Sequence, residues 1–101
     1  MLVNCNSGKE ADALGNALLT KRLCSCFDIF SRQKTAYFWP PRSKKIETGK
    51  GALLIIETLP YAHKKAEMLV KRLHSDTLPF IGYISIDVFP AYYAWVKNEL
   101  T

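Results

Sequence analysis

Two short stretches hold the side chains with the most chemistry to offer, Cys24-Ser25-Cys26 and His74-Ser75-Asp76. In an extended strand, residues two apart point to the same face, so the sulfurs of Cys24 and Cys26 would lie side by side. That spacing suits a soft ion such as Cu(I), although two ligands leave the shell incomplete and buried cysteines also serve as small hydrophobes. His74 with Asp76 offers one imidazole and one carboxylate to a divalent ion. A histidine in a last helical turn can equally engage free carbonyls and the helix dipole. His63, flanked by Lys64-Lys65, reads as an exposed residue. Tyr37, Trp39, Tyr93 and Trp95 read as interface aromatics, because large rings anchor contacts between chains.

The elements that must carry these groups follow from patterning. Ala52-Leu53-Leu54-Ile55-Ile56-Glu57-Thr58 is the longest apolar run, set between a turn signal at Thr48-Gly49-Lys50-Gly51 and Pro60. It is too short for a core helix and shows no polar alternation, so it predicts a central strand covered on both faces. Leu2-Val3 opens a short strand, and Ser7-Gly8-Lys9-Glu10 has the form of a capping box that starts a helix at Gly8, running to near Leu23. Cys24 to Phe30 and Thr35 to Trp39 predict one long bent strand, stopped by Pro40-Pro41. A basic loop spans Arg42 to Lys45. Pro60 suits the first turn of a second helix, with a stripe of Ala62, Ala66, Leu69, Val70 and Leu73 and an end near His74. Pro79 to Asp87 predicts the fourth strand, with Ile84 and Ile86 on one face, and Pro90 opens a final helix bearing Tyr92, Tyr93, Trp95 and Val96.

The order β-α-β-β-α-β plus a terminal helix predicts an α+β, ferredoxin-like sandwich: one antiparallel sheet with both main helices on one face. The other face would then expose an apolar strand. A patch of that size on a monomer calls for a partner, and a second copy of the chain is the simplest one.

Composition bounds the rest. A chain of 101 residues makes one domain, residues 1–101, and no apolar run approaches the roughly 20 residues of a membrane span. With three cysteines and no apolar leader pattern, the expectation is free thiols in the cytoplasm. A net charge of +5 is spread over helix faces and one loop.

Quoted in order, Ser25-Cys26-Phe27-Asp28-Ile29, Tyr37-Phe38-Trp39, Leu53-Leu54-Ile55-Ile56-Glu57-Thr58, Leu73-His74 with Pro79, and Tyr92-Tyr93-Ala94-Trp95-Val96 resemble the CutA divalent-cation-tolerance family over almost the whole chain. The resemblance implies a ferredoxin-like subunit, similar in fold to the PII signalling proteins, in a tight homotrimer with sheets facing inward. It also implies a link to tolerance of copper and other divalent metals, with signalling or scaffolding rather than catalysis as the mode of action. Glu57 stands where the family usually has Lys, and His74-Ser75-Asp76-Thr77-Leu78-Pro79 stands for His-Pro-Tyr-Glu-x-Pro.

The same topology hosts RNA-recognition motifs, which makes an RNA-binding module the alternative. Ala52 to Thr58 offers no aromatic on which a base could stack, so no nucleic-acid partner is expected. An acylphosphatase-like enzyme would need an anion-cradling loop, and Asn6-Ser7-Gly8-Lys9 has one Gly and no Arg. No nucleophile, base and orienting residue stand in a defensible arrangement, and the chain reads as non-enzymatic.

Overall fold

A computed structural model describes residues 1–100. Strands β1 (Leu2–Cys5), β2 (Cys26–Phe38), β3 (Ile46–Glu57) and β4 (Ile81–Gly82) form one sheet in the order β2-β3-β1-β4, with every neighbouring pair antiparallel. Helices α1 (Gly8–Thr20) and α2 (His63–Leu73, preceded by a 3-10 turn at Pro60–Ala62) and a terminal α3 (Pro90–Glu99) complete the ferredoxin-like fold expected from the sequence. Among the described residues no helix is long and apolar enough to cross a membrane.

The core lies between the sheet and the two main helices. Val3 and Cys5 of β1 and Ala52, Leu54 and Ile56 of β3 alternate onto that side, where Ala11, Leu14, Leu18, Ala66 and Val70 meet them. Gly15 is required by close approach, since a Cβ there would sit 2.6 Å from the Phe27 ring. Helix α1 begins as the capping box predicts, with Ser7 Oγ accepting from the Glu10 N–H at 3.0 Å. It stops at Thr20, three residues earlier than expected. Arg22 adopts the left-handed conformation (φ 55°), and the Arg22 and Leu23 N–H groups return to the Leu19 and Leu18 carbonyls, both at 2.9 Å. That closure ends the helix, and the Arg22 guanidinium reaches Glu99 at the end of α3, at 3.0 Å.

Four further expectations need correction. Cys24 lies before β2 rather than in it, so the same-face pairing with Cys26 does not arise from a strand. Thr48-Gly49-Lys50-Gly51 is not a turn but part of β3, which pairs with β2 out to Phe38↔Ile46. Leu73 is exposed rather than part of the buried stripe of α2. The fourth strand shrinks to Ile81–Gly82, because within one chain Tyr83 to Phe89 has no neighbour to pair with. Ile84 and Ile86 are 65% and 74% exposed.

Strands β2 and β3 outrun the core. A strand of 13 residues spans about 43 Å, close to the molecule's 48 Å long axis. No residue from 28 to 51 is buried. The bulge between Arg32 and Thr35 bends this arm.

Candidate functional site

His74 caps α2 and lies beneath β1, its side chain fully enclosed. Its Nδ1 accepts from the Asp76 backbone N–H at 3.0 Å, and its Nε2 lies 2.7 Å from the Asn4 carbonyl. A backbone N–H can only donate and a carbonyl can only accept, so the ring is the neutral Nε2–H tautomer. Neither nitrogen keeps a free lone pair. Glu10 ties the same corner together: one carboxylate oxygen accepts from the Asn6 N–H and the other from the Ser75 N–H, both at 2.9 Å. Burial would raise the Glu10 pKa, but hydrogen bonds from Ser75 and Asn6 outweigh it and the net direction is downward. Asn6 Nδ2 donates to Ser75 Oγ at 2.8 Å and to Asp76 Oδ1 at 2.9 Å. Cys5 Sγ, a Glu10 oxygen and a His74 nitrogen lie within 4.8 Å of one another. Burial, then the charge of Glu10, pushes the Cys5 thiol up to about 11. The cluster therefore works as a clasp joining β1, the start of α1 and the end of α2. His74 and Asp76 are brought together through the backbone of Asp76, not through converging side chains.

A second group occupies the sheet face opposite the helices. Cys26 stands across the β2–β3 ladder from Glu57, and Asp28 follows two residues on, on the same face. Their ligand atoms lie within 4.8 Å of one another, and all three residues are reachable by solvent. The Tyr92 hydroxyl of α3 donates to Glu57 Oε1. This bond is the main reason the Tyr92 hydroxyl is pushed up to about 12. Among the described residues no basic side chain pairs with Asp28 or Glu57. Partial burial, then the charges of Glu57 and Asp28, raises the Cys26 pKa. Cys24 is buried, is pushed up to about 11 chiefly by desolvation, and belongs to neither donor group.

Tyr37, Trp39, Tyr93 and Trp95 are each between 42% and 48% exposed. Trp39 lies just past β2, and the Trp95 ring packs 5.4 Å from that of Tyr92. Cys5, Glu10, Asp28 and Glu57 carry no site role in the sequence patterns. The i, i+2 pair Cys26 and Asp28 on one strand was a readable signal, whereas placing Glu57 beside it requires the β2–β3 register.

Residues 1–99 match the family described as CutA1 divalent ion tolerance protein. A CutA homolog of Danio rerio is 28% identical over 102 residues, taking in 100% of this chain, which spans only 66% of that relative's length. The solved periplasmic divalent cation tolerance protein CutA of Archaeoglobus fulgidus superposes with a TM-score of 0.90 at 27% identity, over 97% of this chain and 93% of its own. The divalent cation tolerance protein of Thermus thermophilus does so with a TM-score of 0.91 at 26% identity, over 99% and 95%.

Proposed function

The chain belongs to the CutA1 divalent ion tolerance family, and on that premise we propose that it is a homotrimeric, non-enzymatic protein of divalent-metal tolerance, copper among the candidate ions. The observation that carries this reading is how much apolar surface one subunit leaves open. Phe30, Phe38, Trp39 and Ile46 on the arm, and Ile84, Ile86, Val88 and Phe89 beyond β4, all face solvent. Soluble monomers rarely expose patches above a few hundred Å². The unpaired backbone of Tyr83 to Phe89 and the arm of a second copy would satisfy each other, and Tyr37, Trp39, Tyr93 and Trp95 are the aromatics assigned to that contact. Unpaired Cys5, Cys24 and Cys26 suit a reducing cytoplasm.

Of the two donor groups, the one around His74 is the poorer place for an ion. A metal there would have to displace the Asn4 carbonyl from Nε2 and take the proton from a thiol raised to about 11. RNA binding has little to stand on, since the outward residues Leu2, Asn4, Leu53 and Ile55 of the two central strands include no aromatic. Light scattering on a sizing column at micromolar protein tests the assembly: three times the 11.5 kDa of one chain is expected, and a clean monomer mass would overturn the reading.

A further inference from the structure

We propose that Cys26, Asp28 and Glu57 form a divalent-metal site on the outer face of the sheet, taking zinc or another ion of borderline softness, with Tyr92 as the positioning residue hydrogen-bonded to Glu57. The proposal deepens the metal-tolerance reading and rests on it for the choice of a dication and for the assembly that would cover this face.

Geometry comes first. The three ligand atoms already lie within 4.8 Å of one another. Tetrahedral zinc with bonds of about 2.0 to 2.3 Å needs its ligands roughly 3.3 to 3.7 Å apart, a closure that χ rotations of solvent-reachable side chains can make. Two of the donors face each other across a β ladder and the third follows at i+2, so the backbone holds them in place before any ion arrives.

Charge points the same way. Asp28 and Glu57 stand beside each other without a basic partner among the described residues, on a chain whose net charge is +5. If the proposed assembly covers this face, two uncompensated carboxylates would be desolvated, and a dication offsets that penalty. A thiolate with two carboxylates gives three negative charges to two positive, and the Cys26 proton leaves to solvent on binding. Sulfur disfavours magnesium and calcium, while two oxygens disfavour Cu(I). A water would fill the fourth position.

Tyr92 supplies what a ligating carboxylate usually has, an outer hydrogen bond that fixes its orientation. In the His74 cluster both ring nitrogens and both Glu10 oxygens are already engaged. Here the Tyr92 hydroxyl takes one Glu57 oxygen, Oε1.

The test is titration of the purified, reduced full chain with Co(II), followed by displacement with Zn(II). One ion per chain and a thiolate-to-cobalt charge-transfer band are expected. Cys26→Ser should abolish the band, Glu57→Gln and Asp28→Asn should weaken binding by about tenfold or more, and Tyr92→Phe by about tenfold. Cys24→Ser and His74→Ala should keep the band in any variant whose circular dichroism matches the wild type. No stoichiometric binding by the folded wild type at micromolar protein, or a band that survives Cys26→Ser, would overturn the site. Particle mass measured on the same samples separates the two readings: a trimer without an ion removes only this site, and a monomer that binds cobalt removes only the assembly.

Discussion

The backbone N–H of Asp76 donates to Nδ1 of His74 at 3.0 Å, so the pair that the sequence offers as metal ligands is already joined by a hydrogen bond that uses up the lone pair a metal would need. The histidine thereby becomes a structural brace, with its opposite nitrogen on Asn4.

His74→Ala should destabilise the subunit by about 2 to 4 kcal/mol. It removes an enclosed ring and leaves the Asn4 carbonyl and the Asp76 N–H without partners. Urea unfolding measures this. A change below about 0.5 kcal/mol, the usual range for surface substitutions, would show that the brace carries nothing.

Gly15→Ala sets two effects against each other. Alanine gains about 1 kcal/mol of helix propensity, but its Cβ would lie 2.6 Å from the Phe27 ring, and overpacking typically costs about 1 to 3 kcal/mol. The ring carbons in conflict include Cγ, the ring's attachment to Cβ, so the ring cannot simply swing away. Net destabilisation is expected, read as a lower thermal midpoint. A raised midpoint would mean that Phe27 repacks freely.

Glu10 gives the acid limb of the stability curve a definite sign. Its folded pKa lies below the ordinary 4.5, so its stabilisation is complete above that value and is lost as pH falls through the lower folded one. Glu10→Gln should therefore lower stability at neutral pH and flatten the fall in the acid range. Parallel curves for the two proteins would remove Glu10 from the clasp.

Trp39→Ala should weaken the assembly by about 2 kcal/mol or more if the indole is a contact anchor. One subunit leaves it 44% exposed, so folding within the subunit has little to lose. Sedimentation across a dilution series would report a shift in the association constant. An unchanged constant would show an indole that merely sits in water.

How much was legible depended on whether a signal was local. The β-α-β-β-α-β order followed from the apolar run at Ala52, the capping box at Ser7 and the prolines at 60 and 90, each read within a few residues. The His74 clasp was not legible, because Asn6 and Ser75 meet across 69 positions and nothing in either segment names the other. The strand at Phe80 to Ile86 failed for a different reason. Its alternation is real, but β pairing needs a neighbour, and one chain supplies it only at Ile81 and Gly82. Thr48 to Gly51 looked like a turn by its glycines. Register with β2 kept it extended, with Gly51 admitting Cys5 O and the Arg32 guanidinium where a Cβ would lie 2.2 and 2.6 Å from them.

The arm formed by β2 after Ser31 and β3 before Ala52 holds no buried side chain, and a two-stranded ribbon without a core is marginal in water. Seen on the clock of amide hydrogen exchange, one molecule should run at two speeds. Amides of β1 and of Leu54 to Ile56 would open only with the whole subunit, whereas those of 33–38 and 46–49 would exchange within the fraying time of a free hairpin. Under the proposed assembly, protection of the arm would rise with protein concentration while that of the core stayed constant, so a deuterium-uptake series in dilute and concentrated solution would time the arrival of a neighbouring chain without any label on it.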